Sequence, residues 1–135
     1  MKQLLLIALL LLCLTGKGQS YYHAFSVTIG TWNNYTNSWN SSDPSNVDLI
    51  FTVQSNVIMI NNKAQTTLTL GGQPVVTEIS NVKAYSWKAI DNNYKNCQFF
   101  EKFFSDGETY FTIMYEDLLF EYQVTLPSGL DKFGQ

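Results

Sequence analysis

Apolar and polar residues alternate along most of this chain. Over residues 21–29 the odd positions Tyr21, His23, Phe25, Val27 and Ile29 share one face, and Tyr22, Ala24, Ser26 and Thr28 share the other. That period of two is the signature of a half-buried strand. Leu49, Phe51 and Val53 align within residues 48–54, and Val57 to Ile60 follow after Ser55-Asn56, a two-residue polar link that predicts a hairpin. Asn61-Asn62 is a second turn candidate and leads into Thr66, Leu68 and Leu70, before Gly71-Gly72-Gln73-Pro74 breaks the pattern.

Residues 75–79 and 82–90 read either as two strands divided at Ser80-Asn81 or as one long bent strand. Asp91 to Asn96 is a polar turn. Residues 97–104 alternate, but Phe99/Phe103 and Phe100/Phe104 also stand at helical i, i+4 spacing, so a short helix fits there too. Residues 108–115 and 118–126 form a hairpin through Glu116-Asp117, and Pro127-Ser128-Gly129 ends the series. The pattern predicts an all-β fold with a core drawn from Phe25, Val27, Leu49, Phe51, Val53, Leu68, Leu70, Tyr85, Trp87, Phe111, Ile113, Phe120 and Tyr122.

Tight links between successive strands imply an antiparallel meander, and its edges are protected either by closure into a small barrel or by packing as two layers. The barrel is preferred, because hairpin links dominate the second half and only residues 31–46 form a long connection. A membrane-spanning barrel wants strands of about 9–11 residues, longer than most of these runs.

The first residues break the alternation. Met1 and Lys2 precede an unbroken apolar run from Leu4 to Leu12, too short for the roughly 20 residues of a membrane-spanning helix, and Gly16 and Gly18 follow it. Residues 1–18 therefore read as a cleaved export signal, with the cut before Gln19 or Tyr21, which places the protein outside the cytoplasm, secreted or periplasmic. Leu12 before Cys13 does not suit lipid attachment, which wants a small residue there. Residues 19–135 make one domain.

That domain keeps six lysines against eleven acidic residues and has no arginine, so its formal charge is −5 and nucleic acid is a poor partner. Loss of Cys13 leaves Cys97 alone, so no disulfide forms within the domain. Nine Phe, eight Tyr and three Trp supply burial in place of staples, and Cys97, shortly before Phe99 and Phe100, reads as a small buried hydrophobe.

The remaining chemistry is sparse. His23 is the only histidine, which excludes a multi-histidine zinc site, and no cofactor motif is present. Asp91-Asn92-Asn93-Tyr94-Lys95-Asn96 begins like a calcium loop but has Lys95 at its fifth position and no glycine at its sixth. Among carboxylates within predicted strands, Glu101 lies in an apolar row while Glu121 lies with Gln123 and Thr125.

The 31–46 segment is richer. It interleaves Trp32, Tyr35 and Trp39 with Asn, Ser and Thr, the combination that stacks on the apolar face of a sugar ring and meets its hydroxyls. The same aromatics would also fold back to cover an open end or edge of the sheet, as tryptophans in polar loops commonly do. Two glycosylation sequons, at Asn34 and Asn40, lie in this stretch. The expectation is an exported, non-catalytic binding or interaction module, with Trp32, Tyr35 and Trp39 as ligand-binding residues for a glycan or protein. The alternatives are a barrel carrying an apolar small molecule and a carboxylate-dependent hydrolase.

Overall fold

The computed structural model describes residues 19–125. The expected export signal with Cys13, and the expected turn at 127–129, lie outside the described residues. Nine strands follow in order: β1 (Gln19–Asn33), β2 (Ser38–Ser41), β3 (Ser45–Gln54), β4 (Val57–Ile60), β5 (Thr66–Ile79), β6 (Val82–Asp91), β7 (Asn96–Phe104), β8 (Thr109–Met114) and β9 (Leu118–Thr125). From β3 onward each strand pairs antiparallel with the next, and β1 pairs with β3 on one side and β9 on the other. The sheet is thus an eight-stranded closed barrel with β2 as an extra strand, rather than a two-layer sandwich.

Short turns carry the meander. Ser55 and Ser80 adopt positive φ (56° and 54°) in the two-residue links β3–β4 and β5–β6, and Gly107 (94°) does so between β7 and β8. Two strands therefore replace the one bent strand that 75–90 also allowed. Residues 97–104 are strand: Phe99 faces the core between Trp87 and Ile113, while Phe100 pairs with Ser86 and Thr112 in the alternate row. Gly71 to Pro74 do not interrupt β5; the ladder to β6 absorbs them as an irregularity between Gly71 and Val75.

Residues 31–46 are not an irregular connection. Trp32 pairs with Trp39 and Asn33 with Ser38, so β1 and β2 form a hairpin whose tip is residues 34–37. β2 continues the line of β3 along the same edge of β1, with Ser42 at the break: its N–H donates to the Ile29 carbonyl (2.8 Å), and its hydroxyl accepts from the Ile29 N–H (3.0 Å). Local amide and hydroxyl side chains make the tip. Asn33 Oδ1 accepts from the N–H groups of Tyr35 (2.9 Å) and Thr36 (3.3 Å), an arrangement that polar composition alone does not distinguish from a loop.

The interior is filled by aromatic rings. Phe111 contacts Tyr22 (centroids 5.0 Å), Phe51 (5.4 Å) and Phe99 (5.4 Å), and Phe51 also meets Tyr122 at 5.0 Å. Each such pair contributes about 0.5–1.5 kcal/mol beyond burial. Of the expected core, Phe51, Leu68, Phe111, Ile113, Tyr122 and Val27 are buried, with Leu49, Val53, Leu70, Trp87 and Phe120 packed against them. Tyr85 is half-buried on the inner row with Glu101.

Phe25 is the exception. The register of β1 shifts between Ala24 and Ser26 against both β3 and β9, leaving Phe25 outside both ladders. That bulge reverses the alternation, so Tyr22 and Ala24 face inward before it and Val27 after it.

Candidate functional site

Tight packing at a glycine shapes one end of the barrel. Along β1, residues 28, 30 and 32 share the outward row, and Gly30 pairs with Leu119 of β9. A Cβ on Gly30 would stand 3.4 Å from Leu119 Cβ and 3.5 Å from Trp39 Cε3. The missing side chain lets the Trp39 ring lie across β1 toward β9. Trp32 stands edge-to-face against Trp39, with centroids 5.3 Å apart and planes at 71°. Its backbone N–H donates to the Asp117 carbonyl at 3.0 Å, which ties the hairpin to the β8–β9 turn.

The tryptophan pair walls a groove of about 470 Å³ whose other side is Asn96, Gln98, Met114 and Glu116. Trp39 is half-buried as backing, and Trp32, 36% exposed, presents the accessible ring. The structure brings these two expected residues together. It does not bring Tyr35 to them: that side chain is 100% exposed at the hairpin tip and does not line the groove. Two neighbouring grooves, about 560 and 550 Å³, meet the first at Asn96, so this residue is common to all three.

Asp91 holds the β6–β7 turn that carries Asn96. Its Oδ1 accepts from the N–H groups of Asn93 and Lys95, both at 2.9 Å, and its Oδ2 accepts from the Tyr115 hydroxyl at 2.8 Å. Burial alone would raise the Asp91 pKa, but those donors outweigh it and hold the carboxyl below its ordinary range. Burial, with the Asp91 carboxylate beside it, drives the Tyr115 pKa up, so the hydroxyl keeps its proton and remains a donor. Both residues line the second groove. The calcium-like start of this loop is therefore an Asp-centred turn whose carboxylate is occupied by its own backbone.

The other titratable groups are dispersed. Cys97 is buried, and burial pushes its thiol up to about 11. His23 is on the opposite face of the wall, in the row of Ile50, where Nε2 lies 2.6 Å from Asp48 Oδ1. Glu121 faces outward to Lys102 Nζ (3.0 Å) and the Thr112 hydroxyl (3.1 Å), whereas Glu101 lies on the inner row between Tyr85 and Phe111. The two carboxyls stand on opposite sides of the sheet. Desolvation pushes Glu101 up to about 7.

No family model matches the chain, and neither a curated protein nor a solved structure is similar to it.

Asn96, Gln98, Met114, Glu116 and Asp91 escaped the sequence reading as site residues. Asn96, Gln98, Met114 and Glu116 reach the tryptophans only through the barrel's return path, more than fifty positions along the chain, and Asp91 holds the turn that carries Asn96. Alternation does carry a partial signal: Gln98 falls on the face opposite Cys97 and Phe99.

Proposed function

We propose that this protein is an exported, non-catalytic binding barrel that holds a glycan or similarly polar ligand in the groove beside Trp32. The observation that carries the reading is the juxtaposition in one groove of an accessible indole ring, the amides of Asn96 and Gln98, the Glu116 carboxylate and apolar Met114. A sugar ring offers an apolar face for the indole and hydroxyls for the amides and carboxylate, and a groove of this size accepts one or two sugar units. The aromatic packing inside the barrel favours this outer groove over the interior as the place for a ligand.

The geometry refines the roles. Trp32 stacks, Trp39 supports it, and Tyr35 at the tip is peripheral. A glycan array followed by titration of the best-bound sugar tests this. Trp32→Ala should weaken binding about tenfold, equivalent to roughly 1.4 kcal/mol, and Tyr35→Ala should change it less than about twofold. Far-ultraviolet circular dichroism and urea unfolding verify that each variant keeps its fold. Absence of glycan binding by the wild type, or equal losses for Trp32→Ala and Tyr35→Ala, would overturn the reading.

A further inference from the structure

We propose that the free edge of β5 pairs two copies of this protein across a two-fold axis at Thr77. β4 covers β5 only from Thr66 to Thr69, and Asn56 in the β3–β4 turn caps Leu70 through its carbonyl (2.7 Å) and side-chain amide (3.3 Å). Beyond Leu70, β5 pairs with β6 alone, so among the described residues its second edge has no strand partner down to Ile79. Every second residue of such a strand directs its N–H and C=O away from the existing ladder, which is a template for another strand.

This edge carries the barrel's densest exposed aliphatic run: Val75 is 65% exposed, Val76 52% and Ile79 67%. Pro74 and the irregularity at Gly71–Val75 end it on one side and the Ser80-Asn81 turn on the other, confining pairing to residues 75–79.

The occupant follows from the register that these five residues permit. In an isologous antiparallel pair centred on Thr77, Val75 of one copy meets Ile79 of the other, Thr77 meets Thr77, and Val76 meets Glu78. Apolar residues are opposed on one face, and no charge opposes a like charge. Glu78 is the only charged residue of the run, and its cross-strand neighbour on β6 is Lys83. An acidic chain therefore presents a locally balanced edge to its twin. Five residues a side fall well short of the roughly 800 Å² per partner of a durable complex, so the association is weak and concentration-dependent.

Analytical ultracentrifugation of the wild type should show a monomer at micromolar concentration and a dimer approaching the millimolar range. Thr77→Glu and Thr77→Lys each place like charges at the axis and should weaken self-association at least tenfold. An equimolar mixture of the two variants should restore it, because the axis then joins opposite charges. Amide exchange of the wild type, which requires no variant to fold, should show concentration-dependent protection at Val76 or Glu78. A wild type that remains monomeric near 1 mM, variants that dimerise like the wild type, or a mixture that stays monomeric would overturn the proposal. Protection produced by an unrelated extended peptide but not by a second copy would do so as well, and would assign the edge to a different partner.

Discussion

Two hairpins run past the barrel's regular wall, and they are finished in opposite ways. The β1–β2 hairpin is stitched to its neighbours: Trp39 approaches Leu119 over Gly30, Trp32 is bound to Asp117 through its N–H, and Ser42 secures the break in the second strand. Among the described residues the β5–β6 hairpin has no such cover, and Val75, Val76 and Ile79 are exposed. Their glycines mark the contrast. Gly30 has two side chains within van der Waals reach of an added Cβ, whereas Gly71 meets only the Lys88 carbonyl at 3.6 Å. A projecting ribbon can thus be made into a groove wall by one glycine and one large ring, or remain an open edge without them.

The sharpest way to break this contrast is to cut the brace at the covered end. Asp91→Ala removes an acceptor of three hydrogen bonds and strands the Tyr115 hydroxyl, and should cost about 3 kcal/mol in urea unfolding. The same variant should lose glycan affinity along with stability, because the turn carries Asn96.

The next effect separates the ends by pH. Glu101 shares its inner row with Tyr85 of the open hairpin, and its folded pKa of about 7 stands above the ordinary 4.5. Between those values the unfolded chain releases the proton while the folded chain retains it, so stability falls as pH rises from 4.5 to 7 and is level above. Asp91 acts in the reverse sense: its folded pKa is lowered below 3.8, so its contribution is present above that range and is lost on further acidification. Stability should therefore peak near pH 4–5 and decline by about 1–3 kcal/mol toward neutrality. Glu101→Gln should flatten that decline, and chemical unfolding across the pH series measures both slopes. A decline of equal size in Glu101→Gln would remove Glu101 as its cause.

The smallest effects compare the glycines themselves. Gly30→Val forces branched carbons against Leu119 and Trp39 and should cost about 1–2 kcal/mol while altering the near-ultraviolet tryptophan signal. Gly71→Val, where an added Cβ meets only the Lys88 carbonyl at ordinary contact distance, should be neutral or gain up to about 0.5 kcal/mol. Equal penalties at the two positions would mean that Trp39 is not supported through Gly30.

The barrel was readable where alternation is unbroken and links are short. Leu68, Phe111, Ile113 and Tyr122 face inward as their period of two requires, and Ser55-Asn56 and Ser80-Asn81 turn where a polar pair separates two apolar runs. Reading failed where structure depends on partners distant in sequence. Nothing near Phe25 announces the bulge, which is imposed by registers with β3 and β9 at once. The polar composition of residues 31–46 concealed a hairpin because Asn and Ser there serve the tip and the stitch rather than a loop. For the candidate site, the two tryptophans were legible and their setting was not, since Asn96, Gln98 and Glu116 reach them only when the cylinder closes.

That closing seam sets the order in which the molecule can assemble. Every other pairing joins strands adjacent along the chain or separated only by the short β2, but β1 meets β9 across about a hundred residues, as the bond from the Thr125 hydroxyl to the His23 carbonyl illustrates. Local hairpins can zip early at little entropic cost, whereas the seam must wait until β9 has been made and pays for the largest loop in the fold. Until then the ribbon has two bare margins and an uncovered aromatic face. The step that completes the cylinder is therefore also the one that removes its longest bare margins during folding and leaves only short ones, such as the 75–79 edge of β5.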